Sequence, residues 1–262
     1  MRIIVILGRV LDPRGIVVNR RAGRIFVNRE EYILQPADRC ALEAALRIKE
    51  ANGAEVVVLP RALLPDDDIL RQALARGADR AIYIAGKPMP LPDDGVMVRV
   101  LKAAVERLGG ADLLFTGATT LDTGQGQLGP RLAEALGWPQ IVGAWTAEVA
   151  DGAVRAVQRD GSGFVWVEAP LPAVVTFVPG ALKLRYPDGR RLINIYRNVG
   201  EIAAALERWE AKDLVAPEEL APMLERRGQE FPPERERGVR LTGSLEEIAR
   251  SAADALRAHL PR

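Results

Sequence analysis

The feature that most constrains this chain is a repeated alternation between short apolar runs and longer segments of helical period. In the helical segments the apolar residues recur every three to four positions, as at Leu128, Leu132 and Leu136. The predicted strands are Ile3–Leu7, Ala54–Leu59, Arg80–Ile84 and Asp112–Thr116. The predicted helices are Ala37–Ala51, Asp67–Ala75, Asp93–Leu108 and about Gln127–Leu136. Because continuously apolar strands are buried on both faces, this order predicts an α/β fold with a parallel sheet between two helical layers.

Two regions depart from this alternation. Between the first strand and the first helix lies a long connection, Gly8 to Pro36, whose β-prone stretch Arg24–Asn28 predicts a small hairpin. After Pro139 no helix separates the predicted strands, and the Asp-Gly turn signals between them predict an antiparallel meander. The meander strands are Ile141–Val149, Ala153–Arg159, Gly163–Glu168 and Ala173–Phe177.

The C-terminal part of the chain is more polar. A helix is predicted from Gly200 to Lys212, a proline- and charge-rich linker from Val215 to Arg237, and a last helix from Leu245 to His259. These residues are too polar to form a core of their own. We therefore predict an α/β nucleotide-binding domain over residues 1–198 and a C-terminal helical arm over residues 199–262 that lies on another surface.

Composition excludes several classes of function. The formal net charge is +1, so no overall field attracts nucleic acid or an anionic membrane. The apolar N-terminal run ends at Gly8, too early for a spanning segment, and no membrane insertion is expected. The single cysteine, Cys40, excludes internal disulfides and favours a reducing compartment, with the cytoplasm as the expected location.

Histidine and serine are too scarce for the common nucleophilic sites. The only histidine is His259, and the only serines are Ser162, Ser244 and Ser251, so residues 1–150 contain neither type. A Ser-His or Cys-His site cannot be built in the predicted core, and metal sites made of His and Cys fail likewise. We expect a protein without catalytic residues of its own and without a metal site.

The segment from Gly117 to Gly129 carries the most specific chemical signal. It joins a buried strand to an amphipathic helix and contains the pattern G-x-G-x-x-G at Gly124, Gly126 and Gly129. That pattern is the fingerprint of NAD-binding oxidoreductases when it follows the first strand in a tight turn. Here it follows the fourth strand after a longer loop, which makes the dinucleotide interpretation weak.

Glycines at a helix N-terminus still let backbone N–H groups approach an anion, and the helix dipole favours negative charge there. We therefore predict a phosphate near Gly126, Gln127 and Leu128. Asp122 either accepts a hydrogen bond from a ribose hydroxyl or forms an Asx-turn or helix cap. Arg61 is either a phosphate partner or a solvated loop arginine. Because parallel sheets bind ligands at the carboxyl ends of their strands, the other candidate walls are the strand ends Ile6, Leu7, Gly8, Leu59 and Pro60.

Several segments, in order, resemble the β subunit of electron-transfer flavoproteins. The segments that carry the resemblance are Arg2–Val10, Gln35–Leu46, Ala73–Ala81, Asp122–Pro139, Arg159–Gly163, Leu171–Thr176 and Arg185–Pro187. The resemblance implies a three-layer αβα mononucleotide-binding fold of the adenine nucleotide α-hydrolase-like type. It also implies nucleotide contacts at Ile6, Leu7, Gln35, Leu59, Gly117, Asp122, Gly126, Gln127 and Leu128.

The same resemblance implies the cofactors and partners. This subunit is expected to hold AMP or, in electron-bifurcating members, a second FAD, and the sequence leaves that choice open. A larger α subunit, the partner on which the C-terminal arm is expected to pack, holds the redox-active FAD of the heterodimer. Residues after Tyr186 are expected to contact an acyl-CoA dehydrogenase-like or other flavin donor, and the acceptor is expected to be of the quinone oxidoreductase type. The alternative is a free-standing enzyme of the same architecture that hydrolyses or transfers the α-phosphate of ATP.

Overall fold

The computed structural model describes residues 1–63, 67–87, 93–225, 227, 230–231 and 238–259. The strands are β1 (Arg2–Leu7), β2 (Arg9–Leu11), β3 (Ile16–Asn19), β4 (Arg24–Val27), β5 (Tyr32–Leu34), β6 (Glu55–Pro60), β7 (Arg80–Ala85), β8 (Leu113–Gly117), β9 (Gln140–Ala150), β10 (Ala153–Asp160), β11 (Gly163–Pro170), β12 (Ala173–Phe177) and β13 (Leu206–Glu210). The helices are α1 (Pro36–Asn52), α2 (Asp68–Ala75), α3 (Asp94–Arg107), α4 (Leu128–Leu136), α5 (Gly189–Arg197), α6 (Glu201–Ala204) and α7 (Leu245–His259).

Nine of these strands form one sheet in the order β11-β10-β9-β12-β8-β1-β6-β7-β13. All neighbours from β9 to β13 in this order run parallel, and β10 and β11 extend the sheet in antiparallel fashion. Helices cover both faces, so the predicted three-layer α/β architecture is confirmed. The antiparallel extension is confirmed as well, for the three strands β9 to β11.

The central strand β1 explains why the core has two halves. Successive side chains of a strand point to opposite faces, and all from Ile3 to Leu7 are fully buried. Ile3, Val5 and Leu7 pack with α1 and α2, whereas Ile4 and Ile6 pack with α3 and α4. The run is therefore apolar without interruption because each face of β1 meets its own helical layer.

The last strand predicted for the meander has a different place. β12 does not continue the antiparallel series: it lies between β8 and β9 and pairs in parallel with both. Its five residues are all buried, which matches a central strand. The turn signals before it could not reveal this, because they report a change of direction and not which neighbour the next strand joins.

The helix predicted from Gly200 to Lys212 is wrong for most of its length. A short helix ends at Ala204, and residues 206–210 form β13, which pairs in parallel with β7 at the edge of the sheet. Trp209 is 9% exposed and packs into the core, with the Arg107 guanidinium 4.4 Å from its ring centroid. Pairing with an open sheet edge and burial of Trp209 outweigh the weak helical propensity of this segment.

The connection before α1 contains the predicted hairpin. β3 and β4 pair antiparallel, and β2 pairs with β5 at the base of the same connection. The side chains of Val17, Val18, Ile25 and Phe26 on this hairpin are exposed. α5 was not predicted; it begins after Asp188, whose side chain accepts a hydrogen bond from the backbone N–H of Arg191.

The chain divides into two compact units. One contains residues 1–19 and 24–227 and therefore runs across the predicted boundary at residue 198. The other contains residues 20–23 and 228–262, and its helix α7 has the bounds predicted for the last helix. The predicted linker is described at 215–225, 227, 230 and 231, and its other residues lie outside the described ranges. Across those ranges, no helix has the length and apolar character needed to cross a membrane.

Truncating Phe115 in β8 tests the importance of the central sheet. Phe115 is fully buried and meets Phe177 of β12 edge to face, with ring centroids 4.9 Å apart. Phe115→Ala should lower the free energy of unfolding by about 3–5 kcal/mol, measured by urea denaturation. Phe164→Ala is the control, because Phe164 is 60% exposed and its ring meets that of Trp145 edge to face. The free energy of unfolding of this variant should fall by less than about 1.5 kcal/mol. Equal losses in the two variants would contradict this account of the core.

Candidate nucleotide site

The order of the strands creates a crevice at the carboxyl edge of the sheet. In the main sheet the chain continues from β1 to β6, which lies on one side of β1. From β8, on the other side of β1, it continues to β9, farther away from β1. Connections from β1 and β8 therefore leave in opposite directions, which opens a gap above the two strand ends. Gly8 follows β1, and Gly117 ends β8.

A fully buried carboxylate spans this gap. Asp38 accepts a hydrogen bond from the backbone N–H of Gly8 at 2.8 Å and another from that of Gly117 at 2.7 Å. It lies in the first turn of α1, where the helix dipole stabilises a negative charge. Burial nevertheless raises the pKa of Asp38 to about 6, although the Arg61 guanidinium and the two backbone amides oppose the shift. One side chain thus connects both strand ends to α1.

Gln35, the residue before α1, connects the same helix to the glycine-rich loop. Its side chain is 2% exposed, and its Oε1 accepts a hydrogen bond from the backbone N–H of Leu121 at 3.0 Å. Its own backbone N–H donates to the carbonyl oxygen of Gly8 at 2.9 Å. Gln35 therefore fixes the position of the loop relative to the end of β1.

The loop from Gly117 to Gln127 closes on itself around Thr120. The backbone N–H of Thr120 donates to the carbonyl oxygen of Gln125 at 2.9 Å, and the Thr120 hydroxyl accepts from the N–H of Gln125 at 3.2 Å. Asp122 is exposed and accepts from the N–H of Thr123 at 2.8 Å. In this structure Asp122 makes a local turn contact, the alternative to a ribose contact in the sequence interpretation.

The last two glycines of the pattern have steric roles. A Cβ atom on Gly126 would lie 2.6 Å from the carbonyl oxygen of Ala118 within the same loop. A Cβ atom on Gly129 would lie 2.3 Å from Cγ2 of Thr176 in β12. Gly129 thus lets α4 pack closely on the sheet, and Gly126 lets the loop fold directly beneath the first turn of that helix.

The structure separates the predicted contact residues into two groups. Four of them are fully buried in the core and expose no side chain at the edge of the sheet: Ile6, Leu7, Leu59 and Leu128. The others lie at the crevice or in its loop: Gln35, Gly117, Asp122, Gly126 and Gln127. Ile6 and Leu59 are register partners in adjacent strands, and Gly117 lies at the end of β8. Their role as nucleotide contacts stays a prediction.

A cavity of about 330 Å³ lies between the N-termini of α3 and α4. Its lining residues are Asp93, Asp94, Gly95, Gln125, Gln127, Arg131, Met223 and Leu224. Burial by itself raises the pKa of Asp93, but four backbone N–H donors outweigh it and hold the pKa below its ordinary value. Two of these donors, at Met223 and Leu224, lie 2.6 and 3.0 Å from Oδ2 of Asp93. Asp93 thus holds residues 223 and 224 along one side of the cavity.

Arg61 is not the solvated arginine that the sequence allowed. It is 8% exposed, and its Nη1 donates to the hydroxyl of Thr116 at 3.3 Å and lies 3.8 Å from Oδ1 of Asp38. Its aliphatic part passes Gly8, where a Cβ atom would lie 3.1 Å from Cδ of Arg61. The arginine side chain therefore extends from the end of β6 across the end of β1 to β8.

Neither Asp38 nor Asp94 was predicted as a site residue from the sequence. Both lie in the first turn of a helix that follows a strand end of the same sheet edge, α1 and α3. An acidic residue in the first turn was the available signal, but it is also the ordinary pattern of helix stabilisation. Their burial, which distinguishes them from exposed helix-start residues, depends on tertiary contacts.

Comparison with known sequences identifies the family. The Electron transfer flavoprotein domain matches residues 24–214. This range includes α1, β8 and the loop after β8, but not β1 or Gly8. This chain belongs to the electron transfer flavoprotein family. The resemblance found in the short sequence segments is therefore confirmed.

Relatives in this family match over most of the chain. The electron transfer flavoprotein subunit beta of Bacillus subtilis is 30% identical over 260 residues, which cover 98% of each chain. Protein FixA of Azorhizobium caulinodans is 33% identical over 71% of this chain and 68% of its own. The acryloyl-CoA reductase electron transfer subunit gamma of Anaerotignum propionicum is 29% identical over 75% of this chain and 74% of its own.

The raised pKa of Asp38 predicts a specific pH dependence. The pKa is about 6 in the folded chain against an ordinary 3.8, so the folded state holds the proton more tightly than the unfolded state. The contribution of Asp38 to stability is then greatest below about pH 4, falls by about 3 kcal/mol as the pH rises to about 6, and is constant above that. The measurement is the free energy of unfolding of the unliganded wild type minus that of Asp38→Asn, from pH 4 to 7.

The subtraction removes the titration of all unrelated groups. A flat curve for Asp38→Asn would show that the carboxylate has no raised pKa.

Proposed function

We propose that this chain is the β subunit of an electron transfer flavoprotein. In this proposal it binds AMP or a second FAD in the crevice between β1 and β8. Together with an FAD-bearing α subunit, it passes electrons from a flavin dehydrogenase to an acceptor. The observation that carries the proposal is the match of the family domain over residues 24–214, which contains Gln35, Asp38 and the loop after Gly117.

The names of the relatives point in the same direction. The Bacillus subtilis relative, which matches over nearly the whole chain, is named as a subunit beta. The Anaerotignum propionicum relative is named as an electron transfer subunit of acryloyl-CoA reductase. A subunit that works inside a flavin-dependent complex fits a chain in which residues 1–150 contain neither histidine nor serine.

The residues at the crevice are compatible with an adenine nucleotide. The N-terminus of α4, preceded by Gly126 and Gln127, offers backbone N–H groups and the positive end of a helix dipole to a phosphate. Gln127 makes no side-chain capping bond to that helix, and we propose that its amide group contacts the ligand. A buried cation, Arg61, lies at the strand ends. A bound FAD would supply the redox chemistry, whereas AMP would act as a structural ligand.

In this function the chain's own residues bind and position. Asp38 and Gln35 hold the strand ends and the loop in place through backbone hydrogen bonds, so the phosphate-binding amides are oriented before the ligand arrives. Such preorganisation lowers the entropy lost on binding. A bound nucleotide stabilises the folded state in return, by about 2.7 kcal/mol at a hundred times its dissociation constant.

The partners belong to the same proposal. Tyr186 is 84% exposed, and we propose that it and the residues after it contact an acyl-CoA dehydrogenase-like or other flavin donor. We propose an acceptor of the quinone oxidoreductase type, packing of the C-terminal arm on the α subunit, and a cytoplasmic location.

Purification from the native host with an affinity tag on this chain tests the proposal. A yellow complex should be isolated, with a larger chain that carries FAD and with AMP or FAD extracted from this subunit and identified by mass. A colourless single chain that hydrolyses ATP would support the free-standing enzyme instead. Retention of NAD without a larger partner would support the oxidoreductase interpretation.

Adding one methyl group at Gly126 tests the position of the site. In Gly126→Ala the new Cβ would meet the carbonyl oxygen of Ala118 and displace the loop, at a cost of about 1–3 kcal/mol. The nucleotide content of the complex after dialysis should fall by about tenfold or more. Gly189→Ala is the control, since no described atom beyond its two chain neighbours and the backbone of its own helix lies within 4 Å of a Cβ there. Unchanged nucleotide content and melting temperature in Gly126→Ala would show that the loop is not the site.

A further inference from the structure

Arg61 keeps an unused donor in a buried position. A guanidinium has five N–H donors, and the contacts of Arg61 with Thr116 and Asp38 both involve Nη1. Nη2 is buried without a hydrogen-bond partner among the described residues. A buried charged donor that lacks a partner is costly, so a native structure that retains one calls for an explanation such as a ligand or an ordered water molecule.

Asp94 keeps an unused acceptor close by. It lies in the first turn of α3, is 8% exposed and lines the 330 Å³ cavity. Its Oδ2 atom is likewise buried without a partner among the described residues. Burial raises the pKa of Asp94, and the Arg61 guanidinium opposes this more than any other charge, which places the two groups within electrostatic range.

These two opposite charges do not neutralise each other directly. Within the described ranges no Arg61–Asp94 contact meets the 4.0 Å limit of an ion pair, whereas Arg61 and Asp38 do at 3.8 Å. They are also the only two buried side chains of the described residues with an unpaired polar atom. The vacant donor and the vacant acceptor therefore occur at one edge of the sheet, beside the loop assigned to the phosphate.

We propose that Arg61 and Asp94 contact the nucleotide directly: Nη2 of Arg61 donates to a phosphate oxygen, and Oδ2 of Asp94 accepts from a hydroxyl or amino group of the nucleoside. This inference rests on the proposed nucleotide site and adds two specificity-determining residues to it. The pair selects a ligand that carries an anionic oxygen and a neutral donor on one molecule. A nucleoside phosphate meets both demands, whereas inorganic phosphate or a nucleoside alone meets one.

The test compares ligands that differ by one group. Dissociation constants of AMP, adenosine and inorganic phosphate are measured by titration calorimetry on the full chain freed of nucleotide, in the wild type and in Arg61→Met, Arg61→Lys and Asp94→Asn. In the wild type AMP should bind about 10- to 100-fold more tightly than adenosine, as expected for a charge-assisted hydrogen bond. Arg61→Met should remove most of this ratio, and Arg61→Lys should retain part of it because the charge remains.

Asp94→Asn should weaken adenosine and AMP by a similar factor and leave the ratio between them unchanged, because its contact lies on the nucleoside. The control is Arg159→Met, which removes an exposed arginine of β10 that is not among the residues lining the cavity. A solvated charge contributes little, so its ratio should change by less than about fivefold. Circular dichroism and melting temperature verify that each variant is folded. If Arg61→Met does not fold, the comparison uses Arg61→Lys, which keeps a buried charge.

The outcomes separate the two levels of the proposal. If AMP and adenosine bind but their ratio is the same in the wild type, Arg61→Met and Arg61→Lys, the role of Arg61 is wrong and the nucleotide site stands. If AMP binds more tightly to Arg61→Met than to the wild type, the arginine side chain occupies the space of the ligand and does not bind its phosphate, and the inference is overturned. If no nucleotide binds the wild type, the proposed function of the crevice fails as well.

Discussion

The buried carboxylate of Asp38 is the interaction on which the rest of the site depends. Two parallel strands that end side by side leave unpaired backbone N–H groups pointing into the gap above them. Asp38 accepts from one such group at Gly8 and from another at Gly117, so both strand ends are satisfied by a single side chain of α1. The cost of burying that charge appears in its pKa of about 6, and the backbone amides and the nearby Arg61 reduce it.

From this anchor the other features follow in order. Because α1 is fixed to both strand ends, Gln35 at its start can hold Leu121 and so position the glycine-rich loop. Because the loop is fixed, Gly126 and Gly129 must lack side chains where the loop and α4 pack most closely. Among the described residues, Arg61 and Asp94 are the buried side chains that each keep one polar atom without a hydrogen-bond partner, and the proposed nucleotide contacts rest on these two atoms.

Sequence patterns predicted most of the fold but only part of the site. Continuous apolar strands such as β1 and periodic helices such as α4 were located correctly because burial on known faces leaves a local signature. The position of β12 between β8 and β9, and the strand at 206–210 beside β7, depend on which strands each of them pairs with, and no local pattern records that. The loop from Gly117 was selected from its glycine pattern and Gln35 through family resemblance, whereas Asp38 and Asp94 were missed because burial distinguishes them from ordinary helix-start residues.

The central claim is that the crevice between β1 and β8 grips the phosphate of an adenine nucleotide. Amide hydrogen exchange of the full chain, freed of nucleotide and then supplied with AMP, tests it most directly. The account predicts slower exchange in the presence of AMP for peptides that contain Gly8 and residues 117–131, and unchanged exchange for residues 153–170 in β10 and β11. Protection confined to another part of the chain, or none at saturating AMP, would contradict it.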